Sequence, residues 1–130
     1  MSTSPPASDG PLLTLSGVGK SYNGDAPAVA DVTLSIERGS FISLVGPSGC
    51  GKSTLLRLIA GLLQPSQGTL DWEGGDRPDD LGFVFQDATL LPWASAFDNV
   101  YMPLKLKGVS RDAASSKVQE ALIRVGLGDV

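Results

Sequence analysis

Residues 44–54 read LVGPSGCGKST, and this stretch decides the fold. Gly46-Pro47-Ser48-Gly49-Cys50-Gly51-Lys52-Ser53 satisfies G-x-x-x-x-G-K-[ST] at every fixed position. Just upstream, Phe41–Val45 (FISLV) is a continuous apolar run, the pattern of a strand buried on both faces of a parallel sheet. Downstream, residues 52–63 read as an amphipathic helix. Leu55, Leu56, Ile59, Leu62 and Leu63 form its apolar stripe, Leu58 widens it, and Pro65 is its expected stop. Strand, glycine-rich turn and helix in that order predict a loop built to hold phosphate.

The chemistry explains the spacing. Gly46, Gly49 and Gly51 let the backbone bend tightly and bring successive N–H groups around an anion. The helix start adds free donors and partial positive charge. Lys52 can reach the β- and γ-phosphates, the Ser53 hydroxyl can ligate Mg²⁺, and Thr54 is placed to donate to the α-phosphate. The nucleotide-binding set is therefore Gly46, Pro47, Ser48, Gly49, Cys50, Gly51, Lys52, Ser53 and Thr54. A ligand-free glycine turn is the competing reading, and a full match to the eight-residue pattern, four of its positions fixed, in the right context weighs against it. Cys50 reads first as a small loop residue. A sharper alternative is a thiol activated by the helix start, whose alkylation MgATP would block.

Composition bounds the remaining possibilities. At 130 residues one domain is expected, and 42% hydrophobic with 18% charged residues is ordinary for a globular chain. The net charge is −4 and the ten basic residues are scattered, so no nucleic-acid partner is expected. One cysteine excludes an intrachain disulfide, and the absence of histidine argues against a zinc site or a histidine-based relay. Residues 1–11 (MSTSPPASDGP) read as a disordered lead-in rather than a secretory signal. No apolar stretch reaches the about 20 residues that span a bilayer.

Elsewhere, residues 12–18, 32–36, 68–72 and 81–85 read as strands, with Gln86 at the end of the last. Turns fall at 22–27 and 37–40, and 73–80 is a polar loop. Ser95-Ala96-Phe97-Asp98 resembles a capping box, opening a helix toward Gly108 that is kinked or broken near Pro103. Ser110 caps a last helix over 111–125. Its face is Ala114, Val118, Ala121, Leu122 and Val125, and Gly126 follows as the cap glycine.

With GPSGCGKSTLLRLIAGL (46–62) on the page, the chain resembles the ATP-binding subunits of ABC transporters. VGKSY (18–22) looks like the family's aromatic A-loop. AVADVTLSIERGSFISLVG (28–46) looks like its strand-turn-strand entry, PSQGTLDWEG (65–74) like its next segment, and LGFVFQDATLLPW (81–93) like its Q-loop region. The resemblance runs from Leu12 to Asp129. It implies an α/β P-loop NTPase core with an antiparallel β subdomain at the N-terminus. Residues 12–130 would be the N-terminal part of an incomplete ABC ATPase domain, holding the β subdomain, the P-loop, the Q-loop and the start of a helical subdomain. By the same resemblance Tyr22 stacks on adenine, Ala28 lines the ribose side, and Lys52 and Gln86 are the catalytic groups. ATP and Mg²⁺ are the cofactors, with Ser53 and Gln86 on the metal. The LLPW stretch, 90–93, lies in the family near a groove that receives a helix of the membrane subunit. Its form looks like importers of nitrate, sulfonate or taurine.

The implied partners are a transmembrane permease and a second ATP-binding subunit in a homodimer. The implied location is cytoplasmic, peripheral on the inner face of the membrane. An LSGGQ-type signature, the strand ending in Asp before a catalytic Glu (Walker B), and the switch His are not found in these 130 residues. Leu15-Ser16-Gly17-Val18-Gly19 mimics a signature but precedes the hook, inside an expected strand. The chain alone is therefore expected to be catalytically incomplete, a truncated product or the first part of a longer coding sequence, with part of 41–45 and 81–85 exposed. A non-catalytic nucleotide-binding or permease-docking fragment is the alternative. A soluble ABC protein of translation or repair is a weaker one.

Overall fold

Leu13, Leu15 and, past a break in strand register, Val18 are buried, and the first sheet is built on them. The computed structural model describes residues 10–49 and 51–129. The lead-in expected at 1–11 lies outside these residues except for Gly10 and Pro11. The chain divides into two compact units, at Phe83 and Val84.

In the first unit, β1 (Leu13–Lys20) is the central strand of an antiparallel sheet ordered β2-β1-β3. β2 covers Val29–Ile36 and β3 covers Gln67–Trp72. Leu15 pairs with Leu34 on one side and Leu70 on the other, and Leu13 with Ile36 and Trp72. Such cross-strand neighbours of apolar, largely β-branched or bulky type are what a half-buried sheet favours. The signature-like LSGVG lies inside β1, with Leu15 and Val18 fully buried.

Helix α1 (Lys52–Ile59) packs Leu55 and Leu58 into the core formed by Leu13, Leu15, Val18 and Val29. It is shorter than the residue 63 end the sequence suggests, and Pro65 is not its stop. Gly61 is, with φ 75°. The N–H of Gly61 donates to Leu58 O at 3.1 Å and that of Leu62 to Arg57 O at 2.9 Å, a Schellman ending. Gly61 is also where Arg77 approaches. The Nη1 of Arg77 donates to Ala60 O at 2.7 Å, and a Cβ on Gly61 would lie 1.3 Å from that nitrogen. The early stop leaves Leu62 outside the helix and 52% exposed, and Leu56 faces solvent as well, so the stripe is narrower than expected.

The runs 41–45 and 81–85 are not strands. Of the first, Leu44 packs against the core, while Phe41 and Val45 are over nine-tenths exposed; of the second, Val84 is too. An apolar run makes burial favourable, but a two-sided strand also needs hydrogen-bonded neighbours. Among the described residues all ladder pairing is antiparallel and belongs to β1, so the parallel core layer of the expected fold is not formed there.

The second unit is a helix pair. Helix α2 (Ala96–Leu106) starts at Ser95 and runs through Pro103 without breaking. Helix α3 (Arg111–Arg124) starts at Ser110. Tyr101, Ala114, Val118 and Leu122 form their core, joined by Phe97, Leu104 and Val109. Val125 lies past the last helical residue and is exposed, contrary to its place in the expected apolar face. Both helices end as α1 does. Gly108 and Val109 donate to Lys105 O and Leu104 O, both at 3.0 Å, and Gly126 and Leu127 to Ile123 O and Leu122 O at 3.0 and 2.8 Å.

Candidate functional site

The hook is the segment between Leu44, anchored in the core, and the start of α1. Gly51 is the N-cap of α1, with φ 92°, a conformation costly for any residue with a side chain. A Cβ there would sit 2.2 Å from Ala28 O, so the position is closed to side chains on two counts. Among the described residues no side chain caps α1, and its first turn holds no acidic residue. The first N–H groups of a helix have no partner within the helix itself, which is what makes such a start a place for an anion. The Nζ of Lys52 folds back across the loop and donates to Gly46 O at 2.5 Å and Pro47 O at 2.9 Å. This places a cation over the loop that the helix start faces. Ser48, Gly49 and Ser53 are exposed, and Thr54 is half-buried. Cys50 lies outside the described residues.

Ala28 links the hook to the turn that carries Tyr22. Its carbonyl presses on Gly51, and its N–H donates to Lys20 O at 2.8 Å. The turn itself closes through Asp25 N to Tyr22 O at 2.9 Å. Tyr22 is 42% exposed, with the Lys20 ammonium 5.5 Å from its ring centroid. A cavity of about 310 Å³ lies beside Ala28, Val29, Gly51, Lys52 and Leu55. The expected hook residues 46–49 and 51–54 are thus brought together, and the Tyr22 turn is tied to them.

Gln86 belongs to the second unit and is exposed there in a bend. The expectation that it ends a buried strand is corrected, since 81–85 is not a strand and is largely exposed. The LLPW stretch beside it is ordered by a residue the sequence did not single out. Leu91-Pro92-Trp93-Ala94 is a turn closed by Ala94 N to Leu91 O at 3.1 Å. Asn99, in the first turn of α2, reaches back to it. Its Oδ1 accepts from Leu91 N at 2.7 Å, and its Nδ2 faces Leu91 O, Ala94 O and Ser95 O at 3.2, 3.3 and 2.9 Å. The available signal was an Asn, a poor helix former, placed just after a capping box.

Asp98 and Arg111 fasten α2 to α3. The Arg111 guanidinium pairs with the Asp98 carboxylate and stacks 4.5 Å from the Phe97 centroid. That hydrogen bond, then the one from Ser95, holds the Asp98 carboxyl below its ordinary 3.8.

Comparison with known proteins bears on this geometry. A family model described as ABC transporter matches residues 29–130. The aliphatic sulfonates import ATP-binding protein SsuB of Rhodopseudomonas palustris (strain BisA53) is 47% identical over 118 residues, 90% of this chain and 41% of that protein. The Fe(3+) ions import ATP-binding protein FbpC of Pasteurella multocida (strain Pm70) is 41% identical over 126 residues, 92% of this chain and 36% of that one. A solved dimeric ATP-binding cassette, in a post-hydrolysis state bound to ADP and Pi, is similar with a TM-score of 0.74 and 34% identity. The match covers 85% of this chain and 56% of that one. The chain spans less than half the length of these two curated relatives.

Proposed function

We propose, from the premise that this chain belongs to the ABC transporter family, that it carries the nucleotide-gripping part of an importer's ATPase subunit. That subunit couples ATP hydrolysis to uptake of a small solute through a membrane permease. The observation that carries this is the hook. An uncapped helix start at Gly51 and the Lys52 ammonium, bonded to Gly46 O and Pro47 O, meet on one glycine loop. Tyr22, on the turn tied to Gly51 through Ala28, supplies an aromatic face for adenine.

The donor set fits Mg²⁺. A hard cation takes oxygen ligands, and the Ser53 hydroxyl is exposed at the start of α1. Bound there, the ion would neutralise charge on the phosphate oxygens. Lys52 orients and neutralises the terminal phosphates, and the α1 donors fix the loop on them. A general base for the attacking water is not recognisable among these 130 residues, so the part in hydrolysis proposed for the hook is to grip and orient the nucleotide.

The substrate class we favour is a sulfonate-type anion, on the strength of the LLPW form and the name of the SsuB relative. The iron importer among the relatives keeps a cationic cargo as the second reading. A permease that seats a helix near Leu90 and Trp93, and a second cassette as in the dimeric solved relative, are the partners. The working place is then the inner face of the membrane.

The test is titration of the purified chain with a fluorescent ATP analogue and Mg²⁺. Saturable binding is expected, weakened about 10- to 100-fold in Lys52→Ala by loss of charge-assisted hydrogen bonds. Binding that ignores Lys52→Ala would refute the hook as the site. Phosphate release that depends on Lys52 would show that these residues also turn the nucleotide over.

A further inference from the structure

The LLPW turn is held by one side chain, and both ends of its carboxamide are engaged. A carboxamide offers two N–H donors and one carbonyl oxygen with two lone pairs. In Asn99 the oxygen takes the N–H of Leu91, and the two N–H donors serve the carbonyls of Leu91, Ala94 and Ser95. Both backbone polar groups of Leu91 are therefore occupied by one amide, much as a neighbouring strand would occupy them. Pro92 fixes its own φ in the turn. The apolar side chains on either side are left outward, Leu90 at 72% and Trp93 at 81% exposure. Asn99 is itself half-buried and fixed by α2, its N–H donating to Ser95 O at 3.0 Å.

A loop ordered before it meets a partner loses less conformational entropy on binding. We propose that Asn99 is a positioning residue that locks residues 91–94 in one shape and so presents Leu90 and Trp93 ready-made to the permease helix. The proposal rests on the docking reading given under Proposed function. Asn99 acts through the turn. Alanine would supply none of its bonds. Aspartate would keep the acceptor for Leu91 N–H but set a carboxylate oxygen against three carbonyls.

The experiment uses the full chain as wild type, Asn99→Ala and Asn99→Asp. Amide exchange is read at Leu91 and Ala94, Trp93 anisotropy in a Trp72→Phe background, and retention by the permease subunit in detergent micelles. In Asn99→Ala, Leu91 and Ala94 are expected to exchange about tenfold faster, the α3 amides unchanged, and retention to fall about tenfold. In Asn99→Asp, Leu91 stays protected while Trp93 loosens, which decides the matter if the alanine variant does not fold. Unchanged exchange and anisotropy in both variants would overturn the lock. A loosened turn that is retained as well as wild type would overturn the presenting role. Wild-type chain that the permease does not retain would instead overturn the docking reading itself, and presentation with it, a result recognisable because it needs no variant.

Discussion

The three helices among the described residues begin in two different ways. α2 and α3 start at serines whose hydroxyls accept from Asp98 N at 3.1 Å and Ala113 N at 3.3 Å, and each has an Asp in its first turn. α1 starts at a glycine with no side-chain cap, no acid in its first turn, and a lysine as first residue. By helix energetics alone, the second arrangement is poor. A missing cap costs about 0.5–2 kcal/mol, and a cation at the positive end of the helix is unfavourable. The same sequence thus builds two helix starts with side-chain caps and one without. Local stability is forgone at the place where a ligand is expected to restore it.

The largest test of that contrast is Gly51→Ala. Strain at positive φ plus the contact with Ala28 O is expected to cost roughly 1–3 kcal/mol of stability and to abolish nucleotide binding. Urea unfolding and ligand titration would check both, and an alanine variant that binds normally would break the contrast. Next, saturating MgATP should stabilise the first unit alone. At 100 times Kd the shift is about 2.7 kcal/mol, read as slowed exchange at residues 51–55 with no change at 96–99. Ser95→Ala and Ser110→Ala should each cost about 1 kcal/mol, seen in thermal unfolding, and leave nucleotide affinity alone. If either weakened binding as Gly51→Ala does, the division of labour would be wrong.

The smallest effect concerns acid. The Arg111 guanidinium keeps the Asp98 carboxyl below its ordinary value, so its contribution to the α2–α3 joint is present above that value. It is lost as the pH falls through the lowered one. Helix content followed by circular dichroism below about pH 4 should fall less steeply in Asp98→Asn than in the native chain.

The hook was legible because its chemistry fixes residue types at fixed offsets: Gly51 for the approach to Ala28, Lys52 for its reach across the loop. The serine starts of α2 and α3 were legible for the same reason, since a cap acts over three residues. The runs 41–45 and 81–85 misled because apolarity signals that burial is favourable but names no neighbour. The end of α1 was assigned to Pro65 when Gly61 and Arg77 decide it, and that pairing links positions 16 apart that no local pattern joins. Asn99 was missed because an amide in a helix has no signature of what it reaches. The relation of Tyr22 to the hook came from resemblance, and the Ala28 contacts supply its physical reason.

The way all three helices end has a consequence for the order of assembly. Each Schellman stop joins residues no more than five apart, through Gly61, Gly108 and Gly126. Such rings close within about a microsecond, as the helices themselves form. The sheet pairs Leu13 with Trp72, and closing so long a loop is an entropic delay that local contacts do not share. Pulse-labelled exchange during refolding should therefore find the amides of α3 protected before those of β1. The helix pair folds ahead of the sheet against which the hook's own helix packs, so the hook is expected to be among the last parts of the chain to take shape.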